Sequence, residues 1–263
     1  MKSIITICVA LLLTACGSVP ITGRKQLTLV SDQEVLSLSN QSFTDYMKTA
    51  KISSNAEKKQ QVQRVGNNIA QAVETYLRNN GMESAVNQMQ WQFVLVNDAT
   101  PNAFALPGGK VVVNEGILPY TQTDDGLAVV IGHEIAHAVA KHSNERLSQQ
   151  MLLQYGGTAL DVLMQNKTAV SRQLAASVYG LGAQVGVMLP FSRKQEYEAD
   201  RLGLIFMAMA GYDVYTAPKF WSRMSSLTSE SGGTPEFMST HPSDANRIKQ
   251  INASIPEALK YKK

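Results

Sequence analysis

Residues 133–137 read His-Glu-Ile-Ala-His and lie inside the apolar run LAVVIGHEIAHAVAKH. Two histidines four positions apart on a helix differ by about 40° around its axis, so a helix through this run carries both imidazoles on one face. Imidazoles so placed can hold two corners of one tetrahedral zinc ion. Glu134 follows the first histidine, where it can reach a water on that metal without binding the metal itself. The flanks (Leu127, Ala128, Val129, Val130, Ile131, Ile135, Ala136, Ala138, Val139, Ala140) are apolar or small, which predicts a helix buried nearly all round. Two imidazoles and a carboxylate buried there without a partner would cost several kcal/mol, and a metal resolves that cost. The fold must therefore bring a further ligand to the middle of a buried helix, and the pattern is that of a zinc-dependent peptidase.

The chain has four histidines, and His142 is the next one along. It falls five residues after His137, about 140° further round a continuing helix at 100° per residue. No glycine separates the two, as a metzincin turn requires. His142 is therefore expected at the helix end beside Lys141 and Arg146, where cations suit the negative end of the dipole. A third ligand can come instead from SRKQEYEADRLGLIFMAMAGY, residues 192–212. Ser192 is an expected N-cap and Gly211 a helix stop. Between them Glu196 and Asp200 share a face, while Glu198 points roughly opposite. Glu196 can ligate zinc, and Asp200, one turn on, can accept a hydrogen bond from the far nitrogen of a ligand histidine. The competing reading is a solvated acidic face paired with Arg193 or Arg201.

HEIAHAVAKHSNER, LPFSRKQEYEADRLGL, STHPSDANRI, PNAFALPGGKVVVNEGIL and VPITGRKQLTLVS together resemble the gluzincin metalloproteases of the HtpX, CAAX prenyl endopeptidase, BepA and LoiP type, nearest the envelope lipoprotein members. The resemblance implies zinc on His133, His137 and Glu196, Glu134 as general base and Asp200 as a supporting partner. Three protein ligands leave one position for water, the open arrangement of a catalytic zinc. Glu134 would take the proton of that water and return it to the leaving amine.

His241, in STHPSDANRI, has three readings. By the resemblance it can occupy the open zinc position and hold the enzyme inactive. Alternatively His241 or Arg247 donates a hydrogen bond to the oxyanion, or His241 is a loop histidine beside a proline turn. NAFALPGGKVVVNEG reads as two short strands joined by Pro107-Gly108-Gly109. An edge strand next to a zinc helix can bind an extended peptide through its main chain. Asn102, Ala103 and Phe104 are the candidates for that contact, with Val111 to Val113 in the core.

MKSIITICVALLLTAC has a positive residue, a short apolar stretch and Leu13-Thr14-Ala15-Cys16, which looks like a bacterial lipobox. The expectation is a cleaved signal over residues 1–15, a lipidated tether over 16–30 with acyl chains on Cys16, and one metalloprotease domain over 31–263. Gly17 after Cys16 favours a bacterial outer-membrane address. Cys8 and Cys16 are the two cysteines, so the mature domain has none for a disulfide or a closed cysteine zinc site. A net charge of +3 gives no argument for nucleic acid.

Further elements follow from pattern. Ser31 opens a helix containing Val35, Leu36 and Leu38. A second helix spans about residues 56–79, stopped by Asn79-Asn80-Gly81. Residues 91–96 form a strand, and 148–189 are helical with a break at Gly156-Gly157. A helix around Trp221 follows, then a mobile lid over 229–237 hinged at Gly232 and Gly233, and a last helix around 242–252 leading to Pro256. Some relatives carry C-terminal helical repeats, and no partner binding through such repeats is carried over to this sequence. The expected fold is α+β and predominantly helical, a zincin-type domain with a small sheet whose edge flanks the zinc cleft. The expected function is a membrane-anchored zinc endopeptidase acting on unfolded or misassembled bacterial envelope proteins. The alternative is a chaperone-like assembly factor that holds clients in the cleft.

Overall fold

The computed structural model describes residues 16–155, 191–230, 236–241 and 246–262. It opens with a hairpin, β1 (Cys16–Ser18) against β2 (Lys25–Leu27), whose turn passes through Gly23 at φ 66°. The segment expected as a tether that orders on the domain lies against it, with Val19 and Val30 buried. Helix α1 (Asp32–Met47) is capped by Ser31, whose hydroxyl accepts from the Glu34 amide. Helix α2 (Ala56–Asn79) is capped in the same way by Asn55. Its buried residues Val62, Val65, Ile69, Val73 and Leu77 recur at three and four positions and form one stripe against the core.

After a short helix α3 (Glu83–Val86), three strands follow: β3 (Gln92–Val96), β4 (Ala103–Leu106) and β5 (Lys110–Asn114). Their spatial order is β3-β5-β4, with β5 parallel to β3 and antiparallel to β4. All five residues of β5 are buried, as a central strand demands. The expected hairpin is present, its turn made possible by Gly108 and Gly109 at φ 84° and 88°. Strand β4 is therefore the edge.

A short helix α4 (Leu118–Thr121) leads to α5 (Asp124–Val139), which carries the His-Glu-Ile-Ala-His motif and is buried from Gly126 to Val139. It lies between α2, the sheet and α7 (Arg193–Met209). Helix α7 starts with a full capping box in which Ser192 and Gln195 exchange side-chain and backbone bonds. The two central helices touch at glycine: a Cβ on Gly203 would stand 3.0 Å from the His133 amide nitrogen, and one on Gly132 would stand 3.1 Å from the Gly203 carbonyl. This close approach brings residues 196 and 200 of α7 alongside residue 133 of α5.

Two helix boundaries differ from expectation. Helix α5 does not run on to His142: Lys141 takes φ 55°, and His142 begins a separate helix, α6 (His142–Tyr155). Helices α8 (Thr216–Glu230) and α9 (Glu236–Thr240) precede α10, which runs Arg247–Ala258 and includes Pro256 instead of ending before it. Arg247, the first residue of α10, is held by buried carboxylates. The expected signal over residues 1–15, the helical stretch beyond Tyr155 with its break at Gly156-Gly157, and the proposed hinges Gly232 and Gly233 lie outside the described residues. Among the described residues no helix is long and apolar enough to cross a membrane.

Candidate metal centre

His133 and His137 project from α5, Glu196 from the first turn of α7, and His241 from the residue after α9. All four are at most 2 % exposed, and one ligand atom from each lies within 4.8 Å of the others. The Nε2 atoms of His133 and His137 are 3.0 Å apart, and His133 Nε2 is 3.1 Å from His241 Nδ1. Glu196 Oε1 lies 3.1 Å from His241 Nδ1 and 3.4 Å from His137 Nε2. Ligands about 2.0–2.1 Å from a tetrahedral zinc are separated by about 3.3 Å, so these spacings suit a tetrahedron's edges.

The surroundings of each ring decide what the cluster can hold. On the far side of His133, Nδ1 lies 3.0 Å from Asp200 Oδ1. On the far side of His137, Nδ1 lies 2.9 Å from His142 Nδ1, and His142 Nε2 lies 3.0 Å from Glu198 Oε2. Ionised Glu198 can only accept, so His142 carries its proton on Nε2 and presents a lone pair at Nδ1. His137 then donates from Nδ1. His133 Nδ1 faces the Asp200 carboxylate at 3.0 Å, close enough to ion-pair with it. His137 Nε2 is left with a lone pair facing His133 Nε2 at 3.0 Å, an arrangement that suits a cation, whether a proton or a metal ion, between them. Burial lowers the His133 pKa, but the carboxylates of Asp200 and Glu196 outweigh burial and raise it to about 9, so a metal bound at this ring must displace its proton. Burial holds His137 well below its ordinary value, in the neutral form a metal requires. Burial alone would raise Glu196, but charge on His241 and Arg247 and the imidazole hydrogen bonds hold it well below the ordinary carboxylate range. Three imidazoles and an ionised carboxylate form a donor set suited to zinc once the metal displaces the His133 proton.

Glu134 sits beside the cluster without entering it. Its Oε2 accepts from the Ala105 amide of edge strand β4 at 2.9 Å. Its buried Oε1 accepts no hydrogen bond and stands 3.4 Å from His241 Nε2. Burial pushes the Glu134 pKa up, the direction a proton acceptor near neutral pH needs.

The edge strand carries the expected residues, with its outward donors already engaged. The Asn114 amide donates to the Asn102 carbonyl, which sets residues 102 and 104 toward β5 and leaves the amides of 103 and 105 facing outward. The Ala103 amide donates to Asn102 Oδ1 and the Ala105 amide to Glu134. Asn102 lies just before the strand and Phe104 packs edge-on against Tyr46.

Arg247 is fully buried. Its Nε and Nη2 donate to Asp200 Oδ2 and Oδ1, both at 2.8 Å, and Nη1 lies 3.0 Å from Glu196 Oε2. Its guanidinium also stacks 3.4 Å from the Trp221 ring centroid. The structure thus shows Arg247, weighed in the sequence as an oxyanion donor, holding two carboxylates. His142 is likewise corrected. It is a wholly buried bridge between His137 and Glu198 and no dipole cap. Lys141, expected beside it in that role, pairs with Asp32.

Sequence reasoning missed Glu198 and Arg24. Burial raises the Glu198 pKa, yet hydrogen bonds from His142, Thr22 and Arg24 outweigh it and hold the group at about 2. It also missed Phe191, whose ring lies 3.9 Å from that of His137. The motif VPITGRKQL around Arg24 was the signal available, without any indication of what it touches.

The profile of Peptidase family M48 matches residues 56–255. The chain belongs to that family. It is 41 % identical over 175 residues to the mitochondrial metalloendopeptidase OMA1 of Schizosaccharomyces pombe, covering 66 % of this chain and 50 % of that protein. It is 31 % identical over 248 residues to the human mitochondrial metalloendopeptidase OMA1, covering 92 % and 46 %. With the beta-barrel assembly-enhancing protease of Yersinia pestis it shares 30 % identity over 161 residues, 60 % of this chain and 33 % of that one. The chain spans about half the length of the mitochondrial relatives it matches. The broad gluzincin resemblance holds. The expected bacterial outer-membrane address does not: relatives aligned over nine-tenths of the chain are mitochondrial proteases, and identity to them exceeds that to the assembly-enhancing protease.

Proposed function

We propose that this M48 chain is a zinc endopeptidase that cleaves extended, locally unfolded protein segments. The observation that carries the reading is the position of Glu134, a buried carboxylate with one oxygen on the edge strand and the other free beside the metal donors. His133, His137 and Glu196 are the proposed ligands. Zinc bound there supplies a Lewis acid for the scissile carbonyl and an acidified water. Glu134 takes the proton of the attacking water and delivers it to the leaving amine. Asp200, fixed by the bidentate Arg247, orients His133. Strand β4 takes the substrate as an added strand. The outward amides of Ala103 and Ala105 are the donors for it, so substrate entry displaces Asn102 Oδ1 and Glu134 from them. Main-chain recognition of this kind gives weak sequence preference and favours misassembled or unfolded chains.

His241 is proposed as a latch. Its Nδ1 lies among the ligand atoms and its Nε2 faces Glu134, so one ring covers both the fourth donor position and the base. Replacing His241 with alanine should raise cleavage several-fold. A fall would make it an oxyanion donor, and no change would leave it a loop residue. Cys16, the first residue of β1, is the proposed acylation point. Because β1 is docked on the domain, an anchor there would leave no slack between lipid and protein, and mass spectrometry of the mature N-terminus tests it.

The deciding experiment compares wild type and Glu134→Gln on an unfolded casein-like substrate. Wild type with zinc should cleave, chelation should abolish cleavage and zinc should restore it, and the variant should lose about a hundred-fold or more of the rate. If both proteins are inert and both suppress aggregation of the substrate, the chain is a client-binding factor.

A further inference from the structure

The N-terminal hairpin belongs to the metal centre by a chain of hydrogen bonds that no part of the proposed reaction uses. Arg24, just before β2, sends Nε to Glu198 Oε2 at 2.6 Å and Nη1 and Nη2 to the two Glu145 oxygens at 2.8 and 2.9 Å. Thr22, in the same turn, donates to Glu198 Oε1 at 2.5 Å. Glu198 then receives His142 Nε2, and His142 Nδ1 receives His137 Nδ1. The only ring proton His137 can keep is the one on Nδ1, so Nε2 is presented to the metal.

We infer that Arg24 is a positioning residue for the metal centre, acting through Glu198 and His142 to fix the tautomer and angle of His137. The inference rests on the proposed zinc ligation by His137. Three features of the geometry carry it. First, every link is buried or nearly so: His142 is 0 % exposed, and the side chains of Glu198 and Arg24 are 7 % and 14 % exposed. Water is therefore a poor substitute for any link. Second, the donors and acceptors permit one direction only, because Arg24 donates, Glu198 accepts and His142 must do one of each. Third, the hairpin's two anchors differ in kind. The Glu145 branch ties Arg24 to α6 and to Gln195 of α7, and touches no metal ligand. The Glu198 branch leads to one. The same arginine thus has a structural arm and a positioning arm that can be cut separately.

The test measures zinc affinity of the full chain by competition with a chromophoric chelator, at a temperature where each metal-free protein is folded. Under that condition lost stability alone does not move the affinity. Outer partners of a ligand histidine are worth about 10- to 100-fold in metal affinity. Glu198→Gln and Arg24→Met should each weaken zinc binding about ten-fold or more. The double variant should be little weaker than Glu198→Gln, because both cut one path. Arg24→Lys should recover most of the loss by keeping a charged donor on Glu198. Glu145→Gln should lower the melting temperature and leave zinc affinity within two-fold of wild type. The inference is overturned if Glu198→Gln binds zinc like wild type, if the two losses multiply in the double variant, or if Glu145→Gln weakens zinc as much as Glu198→Gln. A wild-type chain that binds no zinc overturns the proposed function and this inference together, whereas tight wild-type binding untouched by Glu198→Gln overturns the inference alone.

Discussion

The two histidines of the motif are one turn apart on the same helix, yet they are held by opposite means. Behind His133 stand Asp200 and Arg247, one carboxylate clamped by a fully buried guanidinium that also leans on Trp221. Behind His137 stands a longer path through His142 and Glu198 that ends on Arg24, at the edge of the fold. The first support lies wholly among core helices and cannot be removed without taking one of two carboxylates from a buried guanidinium. The second passes out to a hairpin that precedes the first helix. The difference teaches that the inner support is inseparable from folding, whereas the outer one can be tuned from a peripheral segment.

Asp200→Ala tests the inner side most severely. It leaves the buried Arg247 guanidinium with Glu196 as its one remaining carboxylate, and breaking a buried pair costs up to about 3–5 kcal/mol. Denaturant unfolding of the metal-free protein should show that loss, together with weak zinc binding. If Asp200→Ala unfolds no more readily than Glu198→Gln, the contrast between the two supports fails. Gly203→Ala probes the helix crossing that both supports share. Its Cβ would meet the His133 amide at 3.0 Å, so α5 and α7 must part by a few tenths of an ångström. Overpacking of this kind costs about 1–3 kcal/mol, read as a fall in unfolding midpoint, and should weaken zinc binding through His133 more than through His137.

The outer support has its own pH signature. The Glu198 pKa is depressed from an ordinary 4.5 to about 2 in the folded chain. A depressed carboxylate contributes stability that is fully present above about pH 4.5 and fades as pH falls toward 2. The stability difference between wild type and Glu198→Gln, measured on metal-free protein, should therefore be constant from neutral pH down to about 5 and shrink steadily below. A difference that grew on acidification would contradict the assignment. The smallest effect is expected at the exposed Lys48–Asp45 pair, where Asp45→Asn should change neither stability nor zinc affinity measurably.

Much of this was legible in the sequence because it is local. The spacing of His133 and His137, the shared face of Glu196 and Asp200, the caps at Ser31 and Ser192 and the Gly108-Gly109 turn each depend on a few neighbouring residues and on helix or strand geometry. What escaped is what the chain assembles across distance. Arg24 and Glu198 are 174 positions apart, and no periodicity connects them. His142 was misplaced because Lys141, a non-glycine residue, takes a left-handed backbone that ends α5 early and turns the next helix back toward His137. Arg247 was weighed as an oxyanion donor, since only the folded core shows that two carboxylates wait for it. The compartment, argued from Leu13-Thr14-Ala15-Cys16 and Gly17, was the one reading that the relatives reversed.

The central claim is that Glu196 binds the metal and Glu134 does not, though both carboxylates are buried within the same cluster of histidines. Zinc titration of Glu196→Gln against Glu134→Gln tests it most directly. The account predicts one zinc per chain for wild type, binding close to wild type for Glu134→Gln, and at least about a hundred-fold weaker binding for Glu196→Gln. Loss of zinc in Glu134→Gln with binding retained in Glu196→Gln would contradict it.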